Sequence, residues 1–255
     1  MKIDHYCDLL TDATTYDELN WLEAQSANLY FSAWVRAGVR IPWSDKGSKT
    51  VPANWIAFTK RKSAITESSA RNAIDPVNAI LNYGYTIGYA ESRIACVGNA
   101  LHPQLGFMHA DQDQRDSLAL DILETIRPAI DAYILGMLGY GSDPYPFTRK
   151  LFRQPDDLIP GTIRLVAPLT HKIAGQSMQW QDRLSEVAHQ VAGILGSPMG
   201  KAGKLSNTLQ QQKTDFQDLP IDIDAILPAE TYQSAFAPIL PPPNPSGTQR
   251  GTPRR

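Results

Sequence analysis

The stretch from Asp75 to Tyr133, DPVNAILNYGYTIGYAESRIACVGNALHPQLGFMHADQDQRDSLALDILETIRPAIDAY, constrains the fold more than any other part of the chain. Asp75 followed by Pro76 is a strong helix start. The carboxylate can accept free N–H groups of the first turn, and proline at the first helical position gives up no hydrogen bond. The spacing predicts a helix running to about Gly98, then a turn around His102 and Pro103. Next comes the apolar run Leu105-Gly-Phe-Met, which ends at His109. After a polar loop, Asp116 or Ser117 can cap a second helix that carries Asp121 and Glu124. These two acids are three residues apart and therefore share a helical face. One imidazole and two carboxylates brought together in this way suit a divalent metal. Plainer readings stand beside this one: His109 as a hydrogen-bonded core-edge residue, Asp121 as a surface acid, and Glu124 as the partner of Arg127 in an i,i+3 ion pair.

The chain has 255 residues, 42% of them hydrophobic, enough for one sizeable core or one domain with appendages. A net charge of −2 does not advertise a nucleic-acid binder. It does conceal opposed patches: Lys60 to Lys62 and Arg149 to Arg153 are basic, while residues 111–124 are rich in acids. Two cysteines, Cys7 and Cys96, are too few for a zinc cluster or a disulfide framework, so free thiols are expected. No run of 18 apolar residues and no signal-peptide core appear, which predicts a soluble, cytoplasmic protein.

Residues 1–14 read as a short, mixed lead-in. Thr15 and Glu18 form a capping box for a helix with Leu19, Leu22, Ala27, Tyr30 and Trp34 at helical spacing. Glu23 falls within that stripe, where a carboxylate is costly unless it is partnered or bound to a metal, so a partnered or edge-lying glutamate is the plainer reading beside a ligand. Between 35 and 74, glycines and prolines break any long period, and Trp43, Trp55 and Phe58 are expected to anchor the segment on the core. The Lys-Arg-Lys triplet there can grip phosphate, although a solvated face is its default reading.

On the Pro76 helix, Val77, Ile80, Leu81, Gly84, Ile87, Ile94 and Gly98 are expected on or near one face. Glu91 reads as a satisfied core-edge acid, and Gly84 with Gly88 as sites of close packing. Leu118, Ile122, Leu123, Ile126, Ile130 and Leu135 give the following helix one continuous packing face, extending through Leu138. A turn over 139–146, a short basic segment at 147–153 and an extended one at 161–167 come next. A helix over Leu169–Leu195 follows, with a break near Gly175. Arg149, Lys150, Arg153 and Arg164 are the candidate phosphate contacts. Residues 1–196 are therefore read as one domain, and 197–255, rich in Gln, Ser, Pro and Gly, as a disordered tail with a slightly basic end that can touch nucleic acid.

The runs PVNAILNYGY and LGFMHADQDQRDSLALDILETIRPAIDAY, joined by LEAQSANLYFSAW, FTRKLF and RLVAPLTHKIA, resemble the universal CRISPR-associated adaptation endonuclease, the integrase that inserts new spacers. The resemblance covers roughly residues 15–195. It implies a mainly α-helical catalytic domain that binds DNA and one catalytic Mg²⁺ or Mn²⁺. By the same resemblance, Glu23, His109 and Glu124 are the metal ligands and Asp121 is a neighbouring acid. Such ions prefer oxygen donors, and an imidazole shifts the preference a little towards Mn²⁺.

Family members also carry an N-terminal β domain, form homodimers and meet a small adaptation partner protein. Here the catalytic helix starts close to Met1, so that β domain is expected to be missing. The 35–74 connection is similar to a stand-alone subgroup of the family. Two alternatives follow: a stand-alone mobile-element or repair nuclease of the same fold, and a catalytically inactive remnant that only binds DNA or protein.

Overall fold

A computed structural model of the chain describes residues 3–44, 51–61, 72–106, 115–154 and 160–196. His109 and the 197–255 tail lie outside the described residues, as does Lys62. The described part is mainly helical. Helices α1 (Ile3–Asp12), α2 (Tyr16–Arg36), α3 (Pro76–Gly98), α4 (Ser117–Glu124) and α5 (Arg127–Met137) precede two short strands, β1 (Phe152–Arg153) and β2 (Arg164–Leu165). Helices α6 (Leu169–Ala174) and α7 (Ser177–Leu195) follow. No helix among the described residues is long and apolar enough to cross a membrane.

Helix α3 is the axle of the fold, with α4, α5, α6, α7 and β2 packed around it. Its start is as expected: the Asp75 carboxylate accepts from the Asn78 backbone N–H at 2.9 Å and Pro76 opens the first turn. Its buried face runs through Leu81, Gly84, Tyr85, Gly88, Ser92, Ala95 and Cys96. Ile94 was expected near that face and is instead 65% exposed. Two residues on from Ser92, it points about 200° away at 3.6 residues per turn. Gly84 and Gly88 make room for α5. A Cβ at Gly88 would sit 2.8 Å from both Ile130 Cδ1 and Leu123 Cδ1, and one at Gly84 2.9 Å from Ile130 Cγ2. Glu91 is satisfied, accepting from Gln181 Nε2 on α7 at 3.0 Å.

Three expectations are corrected. The lead-in is a helix, α1, because Tyr6, Leu9 and Leu10 recur at helical spacing within 3–12. The single helix expected from 116 to 138 is two, α4 and α5, broken at Thr125 and Ile126. Pro128 is the cause, since it has no N–H to give to Glu124 and its ring crowds the carbonyl of that residue. On α2, which does begin with the Thr15–Glu18 capping box, the buried residues are Leu22 and Trp34, while Ala27 is exposed and Glu23 half-buried. Glu23 borders the buried stripe, in keeping with its edge-lying reading, and the cost of a buried carboxylate does not arise.

The connecting segments close the core. Trp55 and Phe58 are buried as expected, and Trp43, Trp55, Phe147 and Phe152 form one aromatic cluster with ring centroids 5.6–6.3 Å apart. The break at Gly175 between α6 and α7 also falls where the sequence places it.

Candidate metal centre

Glu124 is the last residue of α4 and Arg127 the first of α5, so the proline-enforced break sets both side chains at one corner. Arg127 Nη1 donates to Glu124 Oε1 at 2.7 Å and to Oε2 at 2.8 Å, with both side chains half-buried. The i,i+3 ion pair is therefore present, and it is more than a surface pair. The Arg127 guanidinium lies 4.6 Å above the centre of the Tyr85 ring, a cation–π contact that holds it from the core side. Burial works against the charge of Arg127, but the Glu124 carboxylate and Tyr85 more than offset it, and the guanidinium stands above its ordinary pKa. Asp121, one turn back on α4, is half-buried too.

Behind this pair lies a buried polar cluster. The Tyr85 hydroxyl donates to Asp131 Oδ1 at 2.5 Å, and Tyr30 of α2 lies near the same carboxylate. Asp131 is only 4% exposed, and burial pushes its carboxyl up to about 6 despite the Tyr85 hydrogen bond and the charges of Arg127 and Arg61. Burial, and then the Asp131 charge, raise the phenols of Tyr30 and Tyr85.

Arg61, the centre of the basic triplet, is not a solvated residue. Its guanidinium lies 5.2 Å over the Tyr85 ring and 5.9 Å over Phe31, and its Nη1 donates to Asn78 Oδ1 at 2.9 Å. Asn78 in turn donates to the Lys60 carbonyl at 2.7 Å and to Asp75 Oδ2 at 2.6 Å, which fastens the loop to the start of α3.

The segment leading to His109 is docked against the start of α4. The Pro103 carbonyl accepts from the Leu118 and Ala119 N–H groups at 2.8 and 3.1 Å, supplying the cap that Asp116 does not provide. Asp116 instead turns to α3, accepting from the Tyr89 hydroxyl and pairing with Arg93 Nε, each at 2.7 Å. Gly106 must be glycine, since a Cβ there would lie 2.6 Å from the Ser117 carbonyl carbon. His109 itself lies outside the described residues. Among the described residues, no group of three or more His, Cys, Asp or Glu side chains gathers into a metal cluster. The half-buried carboxylates of Glu23, Asp121 and Glu124 nevertheless fit a hard divalent ion by donor chemistry. Arg127 orients Glu124 as an outer-shell partner orients a ligand.

A second feature is basic. Arg153 and Arg164 face each other across the antiparallel β1–β2 pair, both exposed, with exposed Arg149 and Lys150 in the preceding turn. Like charges directly opposite are unfavourable in a strand pair. Among the described residues none of these four has an ion-pair partner. Such a ribbon is stabilised by an anion that neutralises it.

Sequence reasoning did not find the Tyr30–Tyr85–Asp131–Arg61 cluster. The signal was Asp131 between Ile130 and Ile134 on an apolar face, an acid that needed a partner.

Residues 1–144 match the family model described as CRISPR associated protein Cas1, and the chain belongs to that family. The CRISPR-associated endonuclease Cas1 2 of Rhodospirillum rubrum is 35% identical over 114 residues, covering 45% of this chain and 28% of that protein. The protein of the same name from Pyrobaculum aerophilum is 48% identical over 133 residues, covering 45% of each. A solved casposase bound to integration product shares the fold with a TM-score of 0.59 at 22% identity, over 76% of this chain and 55% of that one. The chain spans less than half the length of the curated relatives it matches.

Proposed function

We propose that this chain carries the catalytic domain of a divalent-metal-dependent DNA endonuclease and integrase of CRISPR adaptation, with Glu23, His109 and Glu124 as ligands of Mg²⁺ or Mn²⁺ and Asp121 beside them. The observation that carries the reading is the Glu124 carboxylate at the α4–α5 break, fixed at both oxygens by Arg127. The names of the relatives support endonuclease chemistry, and the product-bound casposase of the same fold supports strand transfer.

When bound, the metal polarises a phosphodiester and orients either water or a DNA 3′-hydroxyl for attack. The protein's own residues do the rest. Glu124 offers an oriented carboxylate, and Arg127 holds it while keeping a positive charge next to the developing negative charge on phosphate. Arg149, Lys150, Arg153 and Arg164 hold the DNA backbone in place. How the DNA is held, rather than the ligand set, decides between hydrolysis and strand transfer. A small partner protein and a second copy of the chain belong to this reading as well, as contributors to DNA placement.

The test is cleavage and strand transfer on branched DNA with Mn²⁺ or Mg²⁺, comparing wild type with His109→Ala and Glu124→Ala. Both variants are expected to remain folded and to lose turnover. Folded variants with unchanged turnover would falsify the assignment.

A further inference from the structure

Arg127 and Asp131 stand one turn apart on α5, at i and i+4, the spacing at which opposite charges on a helix pair. In a buried site, where charges attract more strongly than in water, that ion pair is the arrangement to expect. It is not the one found. Arg127 Nη1 donates to both oxygens of Glu124, at 2.7 and 2.8 Å. Asp131 accepts from the Tyr85 hydroxyl at 2.5 Å, and among the described residues it makes no ion pair with Arg127. The side chain that touches both is Tyr85 of α3. Its hydroxyl takes the Asp131 carboxylate, and its ring centre lies 4.6 Å from the Arg127 guanidinium. Gly84, just before it, lets α5 come this close, since a Cβ there would lie 2.9 Å from Ile130 Cγ2. The other guanidinium on the ring, that of Arg61 at 5.2 Å, is engaged with Asn78. Arg127 is therefore the cation, one helical turn away, that a released Asp131 would draw.

We infer that Tyr85 is a positioning residue for the metal centre: by holding the Asp131 carboxylate at its hydroxyl and Arg127 on its ring, it keeps Arg127 committed to Glu124 rather than to Asp131. Glu124 then presents its oxygens in one orientation, without Tyr85 touching the metal. This rests on the ligand reading given under Proposed function. Without the tyrosine hydroxyl, Asp131 is a buried carboxylate short of a hydrogen bond, and Arg127 is the group that can satisfy it. Turning to Asp131, Arg127 leaves Glu124 without its orienting partner, and partners of this kind support metal affinity. A tyrosine that only filled space would support stability alone, and neutralising Asp131 would not undo its loss.

The experiment measures Mn²⁺ binding to the full chain by electron paramagnetic resonance, with thermal unfolding in parallel. It is run at about pH 8, above the value of about 6 to which burial raises the Asp131 carboxyl, so that this group is charged. The proteins compared are wild type, Glu124→Ala, Tyr85→Phe, Asp131→Asn and the double variant Tyr85→Phe, Asp131→Asn. Tyr85→Phe is expected to weaken Mn²⁺ roughly tenfold or more. Asp131→Asn leaves no carboxylate to compete for Arg127, so it is expected to stay within about twofold of wild type, and the double variant to recover to the same level. Unchanged affinity in folded Tyr85→Phe overturns the inference. So does a double variant that binds as weakly as Tyr85→Phe alone. If Tyr85→Phe does not fold, Tyr85→Met, an adaptable side chain that gives Asp131 no strong donor, takes its place in the same comparison. Wild type that binds no Mn²⁺, or Glu124→Ala that binds it unchanged, overturns the ligand reading itself. Loss of binding in Glu124→Ala with unchanged binding in Tyr85→Phe leaves that reading standing and removes only the role of Tyr85.

Discussion

Glu124 and Arg127 sit on either side of a helix break, and one guanidinium nitrogen holds both carboxylate oxygens, at 2.7 and 2.8 Å. Had α4 and α5 been one helix, the pair would be an ordinary solvent-side i,i+3 contact worth a few tenths of a kcal/mol. The break and the Tyr85 ring beneath make it a fixed corner. Arg127→Lys keeps the charge but replaces the planar guanidinium stacked on Tyr85 with a compact ammonium and loses much of the ring contact. It is expected to lower stability by about 1 kcal/mol and Mn²⁺-dependent cleavage by roughly tenfold or more. Urea denaturation and initial cleavage rates check the two effects separately.

The buried Asp131 makes stability depend on pH. Its carboxyl is raised to about 6 by burial, above its ordinary value. The folded state therefore binds the proton more tightly than the unfolded chain, and stability falls as pH rises from about 4 to about 6. Asp131→Asn removes that titration. Wild type is expected to lose stability relative to the variant across this window, and to hold a constant difference above it, in denaturation curves taken at half-unit steps. A difference that does not vary between pH 4 and 6 contradicts the direction assigned here.

Gly88→Ala tests the packing of α5 on α3. The added methyl meets two terminal methyl groups, those of Ile130 and Leu123, at 2.8 Å, and both belong to buried side chains with little room to retreat. Overpacking of this kind costs about 1–3 kcal/mol, outweighing the roughly 0.5–1 kcal/mol that alanine gains over glycine inside a helix. A lower thermal midpoint is expected, and a raised one refutes this account of the contact.

For the basic ribbon, the double variant Arg153→Ala, Arg164→Ala is expected to weaken DNA binding and to reduce the slope of log affinity against log salt by roughly two. Folding stability should not fall, because the substitution removes a like-charged cross-strand pair. Fluorescence anisotropy over a salt series reads the slope. An unchanged slope would remove these arginines from the DNA-contacting surface.

The features legible in the sequence were those written in neighbouring residues. Asp75–Pro76, the Thr15–Glu18 box and the Gly175 break are local signals, and each fixes an element boundary in the fold. Pro128 was equally visible, but the apolar period Leu118–Ile122–Ile126–Ile130 runs straight through it and suggested one helix. Periodicity reports which face is buried, not whether the axis is continuous. Arg61 was misjudged because its partners, Phe31, Asn78 and Tyr85, come from other segments, and a loop sequence alone says nothing about what lies beneath it. The same holds for Asp131. Of the candidate ligands, Asp121 and Glu124 lie on the half-buried flank that the helical spacing indicated, whereas the position of Glu23 depends on how α2 docks. That docking is a tertiary property.

Cys96, buried on α3 with its thiol pushed up to about 11 by burial, has a practical consequence. It stays protonated and out of reach of maleimides near neutral pH. The chain has only one other cysteine, Cys7. With Cys7 replaced by serine, a cysteine introduced on the outer surface of α2 or on the basic ribbon becomes the single reactive handle. A fluorophore or spin label can then be attached at a chosen point, with no need to disturb the interior of the protein.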